Sequence, residues 1–150
     1  MRAVVQRVSR AEVRVEEEMI GSCGTGVMVL LGVHAEDVEA DADWLARKVA
    51  EMRIFSDEDG KMNRALTDFE GEALVVSQFT LHAKTKKGAR PSFIHAARPE
   101  TAIPLYERFV RQLEDHLKRP VATGRFGAMM EVDLINDGPV TITMDTRNKE

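Results

Sequence analysis

The stretch Leu74–Leu81, LVVSQFTL, starts as an interior strand and ends as something else. Leu74, Val75 and Val76 are three aliphatic residues in succession, the run a strand shows when both of its faces are covered. Ser77, Gln78 and Thr80 then crowd polar groups around Phe79. Strand alternation sorts them: Leu74, Val76, Gln78 and Thr80 share one face, while Val75, Ser77, Phe79 and Leu81 share the other. Gln78 and Thr80 are therefore expected side by side, about 7 Å apart at Cα. A carboxamide beside a hydroxyl suits an ester carbonyl or a ribose hydroxyl. Two polar groups that satisfy the backbone at a strand end would leave the same pattern.

Outward from this strand the chain alternates between two periods. AEVRVEEE sends Val13 and Val15 one way and Glu12, Arg14 and Glu16 the other, a half-exposed strand. RAVVQRV before it is expected as its hairpin partner, with the turn at Ser9-Arg10. GSCGTG reads as a glycine-rich turn and VMVLLGV as a strand covered on both faces. Those glycines match neither a P-loop nor a dinucleotide fingerprint.

From about Asp37 the period becomes helical, with Val38, Ala42, Leu45, Val49 and Met52 on one stripe. FSDEDGKMN breaks it with turn residues; as a calcium loop it fails, because its glycine comes too early and the terminal acid is missing. A long loop is expected from His82 to about Arg98, then a second helix capped by Thr101 with Pro104 in its first turn. Tyr106, Phe109, Val110, Leu113 and Leu117 form its apolar face. MMEVDLIND and PVTITMD are two alternating strands that Asp137-Gly138 would join as a hairpin, and TRNKE is a polar tail. Two helices cannot cover about six strands on both faces. The expected class is α/β: a three-layer β/β/α sandwich, barrel-like sheets with two helices on one side.

Length and composition set limits on function. At 150 residues, 43% hydrophobic and 31% charged, the chain fits one domain over 1–150 and needs no covalent staple. Cys23 is the only cysteine, so no intrachain disulfide can form. His34, His82, His95 and His116 lie apart in sequence and none falls in a zinc-ligand spacing, so no metal and no cofactor is expected. The start, MRAVVQRVSR, lacks the apolar run of a signal peptide, and Val27–Leu31 is too short to span a bilayer; a cytosolic, membrane-free protein is expected. A net charge of −4 argues against nucleic-acid binding over the whole surface. AKTKKGAR, with Lys84, Lys86, Lys87 and Arg90, is the one local basic run, readable from charge alone as a solvated loop.

Five blocks add a resemblance. VVSQFTL, RIFSDEDGKMN, GARPSF, TGRFGAMMEVDLINDGPVT and QRVSRAEV together resemble the D-aminoacyl-tRNA deacylase family, in order, from Met1 to about Met144. Ala89 departs from the Asn or Met more usual in that family. The resemblance implies an enzyme that hydrolyses the ester between a D-amino acid, or glycine, and the terminal adenosine of tRNA, sparing the L-ester. It also implies a homodimer with active sites at the interface. Ser77, Gln78, Phe79 and Thr80 would line the pocket for the aminoacyl-adenosine, while Asn136 through Thr141 would carry a Gly138-Pro139 cis peptide into the partner's pocket.

Backbone carbonyls and a rigid ring would reject an L side chain by clash, reading chirality by exclusion. Arg7 is expected to brace that segment through carbonyl groups, and Phe93 and Met130 to flank the pocket or simply to pack in the core. A threonine nucleophile needs a base, and His82 lies on the same face if the strand continues. The alternative favoured here is substrate assistance, with the ribose 2′-OH, backbone N–H groups and water doing the work. The rivals are an editing enzyme for a wrong L-amino acid and a tRNA-binding module without catalysis.

Overall fold

The computed structural model describes residues 1–150, and its organising element is one long strand, β1 (Arg2–Val15). It pairs antiparallel along one edge with β8 (Glu131–Asp145), from Arg2↔Asp145 to Arg14↔Glu131. Two strands share its other edge: β3 (Gly26–Gly32) pairs with Arg2–Val8, and β2 (Glu18–Cys23) with Ala11–Val15. RAVVQRV and AEVRV are not hairpin partners but one strand, and the break read at Ser9-Arg10 is a register shift between Val8↔Asn136 and Arg10↔Ile135. A bulge and a turn draw on the same polar residues, so the sequence shows a break without its kind. The hairpin turn lies later, at Glu16-Glu17, both with positive φ (50° and 68°), as two-residue turns between twisted strands require. GSCGTG is correspondingly half strand: Gly21–Cys23 belong to β2, and the turn is Gly24-Thr25.

MMEVDLIND and PVTITMD likewise form no hairpin with each other. Both halves of β8 pair with β1, and Asp137–Val140 loop out where Gln6↔Thr141 gives way to Val8↔Asn136. Asp137-Gly138 therefore marks an excursion from a strand rather than a reversal of it.

From β3 the sheet extends through β6 (Glu72–Ser77) and β7 (Ala122–Thr123), each parallel to its predecessor. Parallel pairs need crossovers, which α1 (Glu39–Glu51) and α2 (Pro99–Leu117) supply. Crossovers of one hand advancing in the same direction put both helices on one face, where they touch each other. The Arg108 guanidinium of α2 binds the Asp43 carboxylate of α1 through Nε (2.7 Å) and a second nitrogen (2.9 Å). α2 begins at Pro99 rather than near Thr101: proline at the first helical position is preset for the helix, which leaves Pro104 inside it on the exposed side. A small hairpin, β4 (Phe55–Ser56) with β5 (Met62–Arg64), occupies the FSDEDGKMN turn; Asp57 closes it by accepting from the Asp59 and Lys61 N–H groups and from Asn63.

The strands divide two cores between their faces. Val27, Val29, Leu31, Ala73 and Val75 face the helices with Leu45, Val49, Phe109 and Leu113. Met28, Leu74 and Val76 face the other way, into a smaller core with Val8, Val13 and Cys23. The sheet curls around this second core until β2 meets β7: a methyl group added at Gly21 would fall 2.4 Å from the Thr123 carbonyl oxygen. The result is the barrel-like sheet with two helices on one side that the patterning implied. No helix is long and apolar enough to cross a membrane.

Candidate active site

β6 ends at Ser77, and the chain turns at once into a short 3-10 turn, Phe79–His82. This corrects the extended reading of LVVSQFTL. Gln78 and Thr80 do meet, with Gln78 Nε2 donating to Thr80 Oγ1, but a tight turn rather than strand alternation joins them. Gln78 holds the turn to the sheet by donating its N–H to the Leu31 carbonyl at 2.8 Å. The first bond of the turn is Leu81 N–H to the Gln78 carbonyl, so the Phe79 and Thr80 N–H groups precede it and stay available. Phe79 and Thr80 are exposed, Ser77 and Gln78 half-buried.

A cavity of 320 Å³ opens against this turn. Ser77, Gln78 and Phe79 line it together with Val33, Ala102 and Tyr106 and with Phe126, Met129 and Met130. It is apolar apart from the strand end, the pattern of a site that grips a flat hydrophobic group and orients it through few polar contacts. Tyr106 Oη donates to the Val75 carbonyl at 3.0 Å, and burial pushes its hydroxyl up to about 12. Its ring meets Phe126 edge to face at 5.9 Å. Motif reading singled out neither residue: Tyr106 looked like helix core, and Phe126 sat inside a quoted block without a role. A larger groove, 680 Å³, runs beside Trp44 and Lys149 and reaches Leu81 on the other side of the turn, with a mixed apolar and charged lining.

Of the other sequence-derived candidates, Met130 lines the cavity, and Phe93 packs edge to face on Phe79 at 5.2 Å. Lys84, Lys86, Lys87 and Arg90 are exposed on a loop closed by reciprocal bonds, Lys84 N–H to Ser92 O (2.8 Å) and Ser92 N–H to Lys84 O (3.0 Å). His82 is no base for Thr80: its ring is buried at 3% exposure, and its Nε2 lies 3.0 Å from the Gly32 carbonyl oxygen. The strand does not continue far enough to keep the two residues on one face.

The Asp137–Val140 excursion forms a second group, and none of its residues lines the cavity of its own chain. The Gly138-Pro139 bond is cis, and Gly138 takes φ +135°, a conformation open to glycine. Asn136 ties the neck of the excursion by accepting the Val140 N–H at 2.9 Å and by donating to Gln6 and to Thr141 Oγ1. Arg7, opposite the gap in the β1–β8 ladder, donates from Nε to the Asp137 carbonyl (2.9 Å) and from a terminal nitrogen to the Ile54 carbonyl (2.7 Å).

Comparison with known proteins places this arrangement. The family model described as D-Tyr-tRNA(Tyr) deacylase matches residues 4–145. The chain belongs to that family. Within it, the chain is 57% identical to a D-aminoacyl-tRNA deacylase of Cytophaga hutchinsonii and 55% identical to one of Bacteroides thetaiotaomicron, each over the whole of both chains. Among solved structures it is similar to one titled c-Myc DNA Unwinding Element Binding Protein, with TM-score 0.90 and 42% identity over 97% of this chain and 99% of that one. A structure titled as a probable eukaryotic D-amino acid tRNA deacylase shares the fold, with TM-score 0.82 at 18% identity, over 95% and 97% of the two chains. The deacylase family thus spans both separate groups of residues, the cavity and the excursion.

Proposed function

We propose that the protein hydrolyses the ester of D-aminoacyl-tRNA, and of glycyl-tRNA, releasing the free amino acid and tRNA while sparing L-aminoacyl-tRNA. The observation that carries this reading is the cavity. A largely apolar cavity of 320 Å³, lined by Tyr106, Phe126 and Met130, adjoins a turn that presents a carboxamide, a hydroxyl and two open N–H groups. The cavity suits the terminal base, and the turn suits the ester attached to its ribose.

On this reading water attacks the ester carbonyl, and the oxyanion is received by the Phe79 and Thr80 N–H groups. The bond to the ribose 3′-oxygen then breaks, and the vicinal 2′-OH passes the proton from water to that leaving oxygen. Thr80 holds rather than attacks. Its hydroxyl is engaged by Gln78, and His82, the only base nearby in sequence, is turned into the core. The exposed Lys84, Lys86, Lys87 and Arg90 follow the turn directly and supply phosphate contacts, which position any tRNA without reading its sequence.

Two copies complete the site. Gly138-Pro139 is exposed and cannot line its own cavity, while Phe79 beside that cavity is 55% exposed. Val132 and Ile135 on β8 are also exposed apolar residues. A partner's Gly138-Pro139, entering near Thr80, would exclude an L side chain and leave the D-ester and glycine accepted. Following ester loss from D- and L-aminoacyl-tRNA tests the assignment. Loss from the D-ester alone supports it, loss from the L-ester points to an editing enzyme of the other hand, and no loss points to a binding module.

A further inference from the structure

Three of the four histidines, apart in sequence, converge at the end of β3, where the reaction outlined above makes no use of them. His34 stacks on His95 at 5.5 Å and meets the edge of His82 at 5.3 Å. The rings stack instead of converging as ligands, and no set of side chains there is placed to hold a metal ion. His82 closes the 3-10 turn that carries Thr80.

That turn is fastened to β3 at both ends. At its start Gln78 donates to the Leu31 carbonyl, and the Gln78 carbonyl passes so close to Gly32 that an added Cβ would sit 2.8 Å from it. At its end the His82 ring reaches the Gly32 carbonyl at 3.0 Å and would lie 3.2 Å from the same Cβ. Phe79 and Thr80, between these fastenings, are exposed. Besides the Phe93 ring against Phe79 and the Arg2 guanidinium on the Leu81 carbonyl (2.8 Å), their placement rests on the two ends.

We infer that His82 is a positioning residue for ester hydrolysis: by donating from Nε2 to the Gly32 carbonyl it fixes the turn that sets Gln78 and Thr80. The inference rests on the reading of the cavity as the ester-cleaving site. A second proton on this imidazole has no carboxylate to receive it. The α-ammonium of Met1 and the Arg2 guanidinium face it from the start of the chain, and His34 from the segment after β3. Around His34 stand Asp37, Glu36, His95 and Arg147. Asp37 already takes the Met1 ammonium (2.7 Å) and the His34 N–H (2.7 Å), and Asp145 takes Arg2. Burial, with these cations, holds the His82 imidazole below the ordinary histidine range.

The test compares wild type with His82→Gln, which keeps a donor at the reach of Nε2, and His82→Leu, which fills the space without one. D-aminoacyl-tRNA cleavage is followed together with hydrogen exchange of the Leu81 and Ala83 amides. His82→Leu is expected to lose about tenfold or more in kcat with KM within about twofold, and to exchange both amides faster. His82→Gln is expected within about threefold of wild-type kcat, with both amides again exchanging slowly. Wild-type kcat and exchange in His82→Leu would overturn the inference, as would a His82→Gln variant as slow as His82→Leu. A wild type that cleaves no ester refutes the function instead, and the exchange rates still decide the clamp: faster in His82→Leu and restored in His82→Gln supports it, and unchanged rates refute it.

Discussion

Arg7 Nε donates to the carbonyl oxygen of Asp137 at 2.9 Å, across the gap where β8 leaves its ladder with β1. The same guanidinium donates to the Ile54 carbonyl at 2.7 Å, so one side chain ties the excursion to the segment after α1. Lysine presents a single compact ammonium and cannot bridge two carbonyls in that fork geometry. Arg7→Lys is expected to lower deacylation of the D-ester by about tenfold or more while the fold persists, since a misplaced rigid contact costs rate steeply. Arg7→Ala is expected to cost about 2 kcal/mol of stability, the range for hydrogen bonds from a charged donor. Circular dichroism melts and single-turnover rates on the same preparations separate the two effects.

How much of this could be read from the sequence depended on the kind of signal. β3 and the buried faces of both helices were legible because a covered strand and an amphipathic helix leave unambiguous periods: Val27, Val29 and Leu31, or Phe109 and Leu113. The continuity of β1 and β8 was not, since Ser9-Arg10 and Asp137-Gly138 carry residues that serve a bulge, an excursion or a turn equally well. At the candidate site, the meeting of Gln78 and Thr80 was legible only through the wrong geometry. Strand alternation and the real 3-10 turn both juxtapose them, and only the turn faces His82 inward. Tyr106 and Phe126 were hidden because an aromatic that lines a cavity has the same sequence pattern as one that fills a core.

Thr80→Ala distinguishes holding from attacking. The Phe79 and Thr80 N–H groups belong to the backbone and survive the change, so within the substrate-assisted scheme kcat is expected to fall by no more than about tenfold. A terminal adenosine lacking the 2′-OH is expected to remove turnover in the wild type. Burst kinetics on both substrates check this; a dead Thr80→Ala that still binds D-aminoacyl-tRNA would make the threonine a nucleophile.

On the proposed reading the basic loop acts through phosphates alone. Lys86→Glu together with Lys87→Glu is expected to raise KM severalfold at low salt and leave kcat near wild type. The dependence of log KM on log salt should flatten by about 0.7 to 0.9 per lost phosphate contact. Titration of KM against salt checks it, and an unchanged slope would mean that the loop only solvates the surface.

Stability should vary with pH in two separate windows. His82 and His34 are held below the ordinary 6.5, chiefly by burial. Below that value the unfolded chain binds protons that the folded chain refuses, so stability falls as pH drops from 6.5 toward the folded values and is level above. Asp43, held down by Arg108, and Asp57, held down by Asn63 and the Lys61 N–H, sit below the ordinary 3.8. Their contribution is present above 3.8 and is lost as pH falls through the folded values. Melting temperatures from about pH 3 to 8 should therefore decline in two steps. His82→Gln should shrink the upper step and leave the lower one.

The most direct measurement is the initial rate of ester loss from one tRNA charged in turn with a D-amino acid, with glycine and with the matching L-amino acid. Exclusion by the Gly138-Pro139 excursion predicts that the D- and glycyl-esters are cleaved and the L-ester survives at its spontaneous rate. Cleavage of the L-ester at a rate comparable to the D-ester would contradict the account.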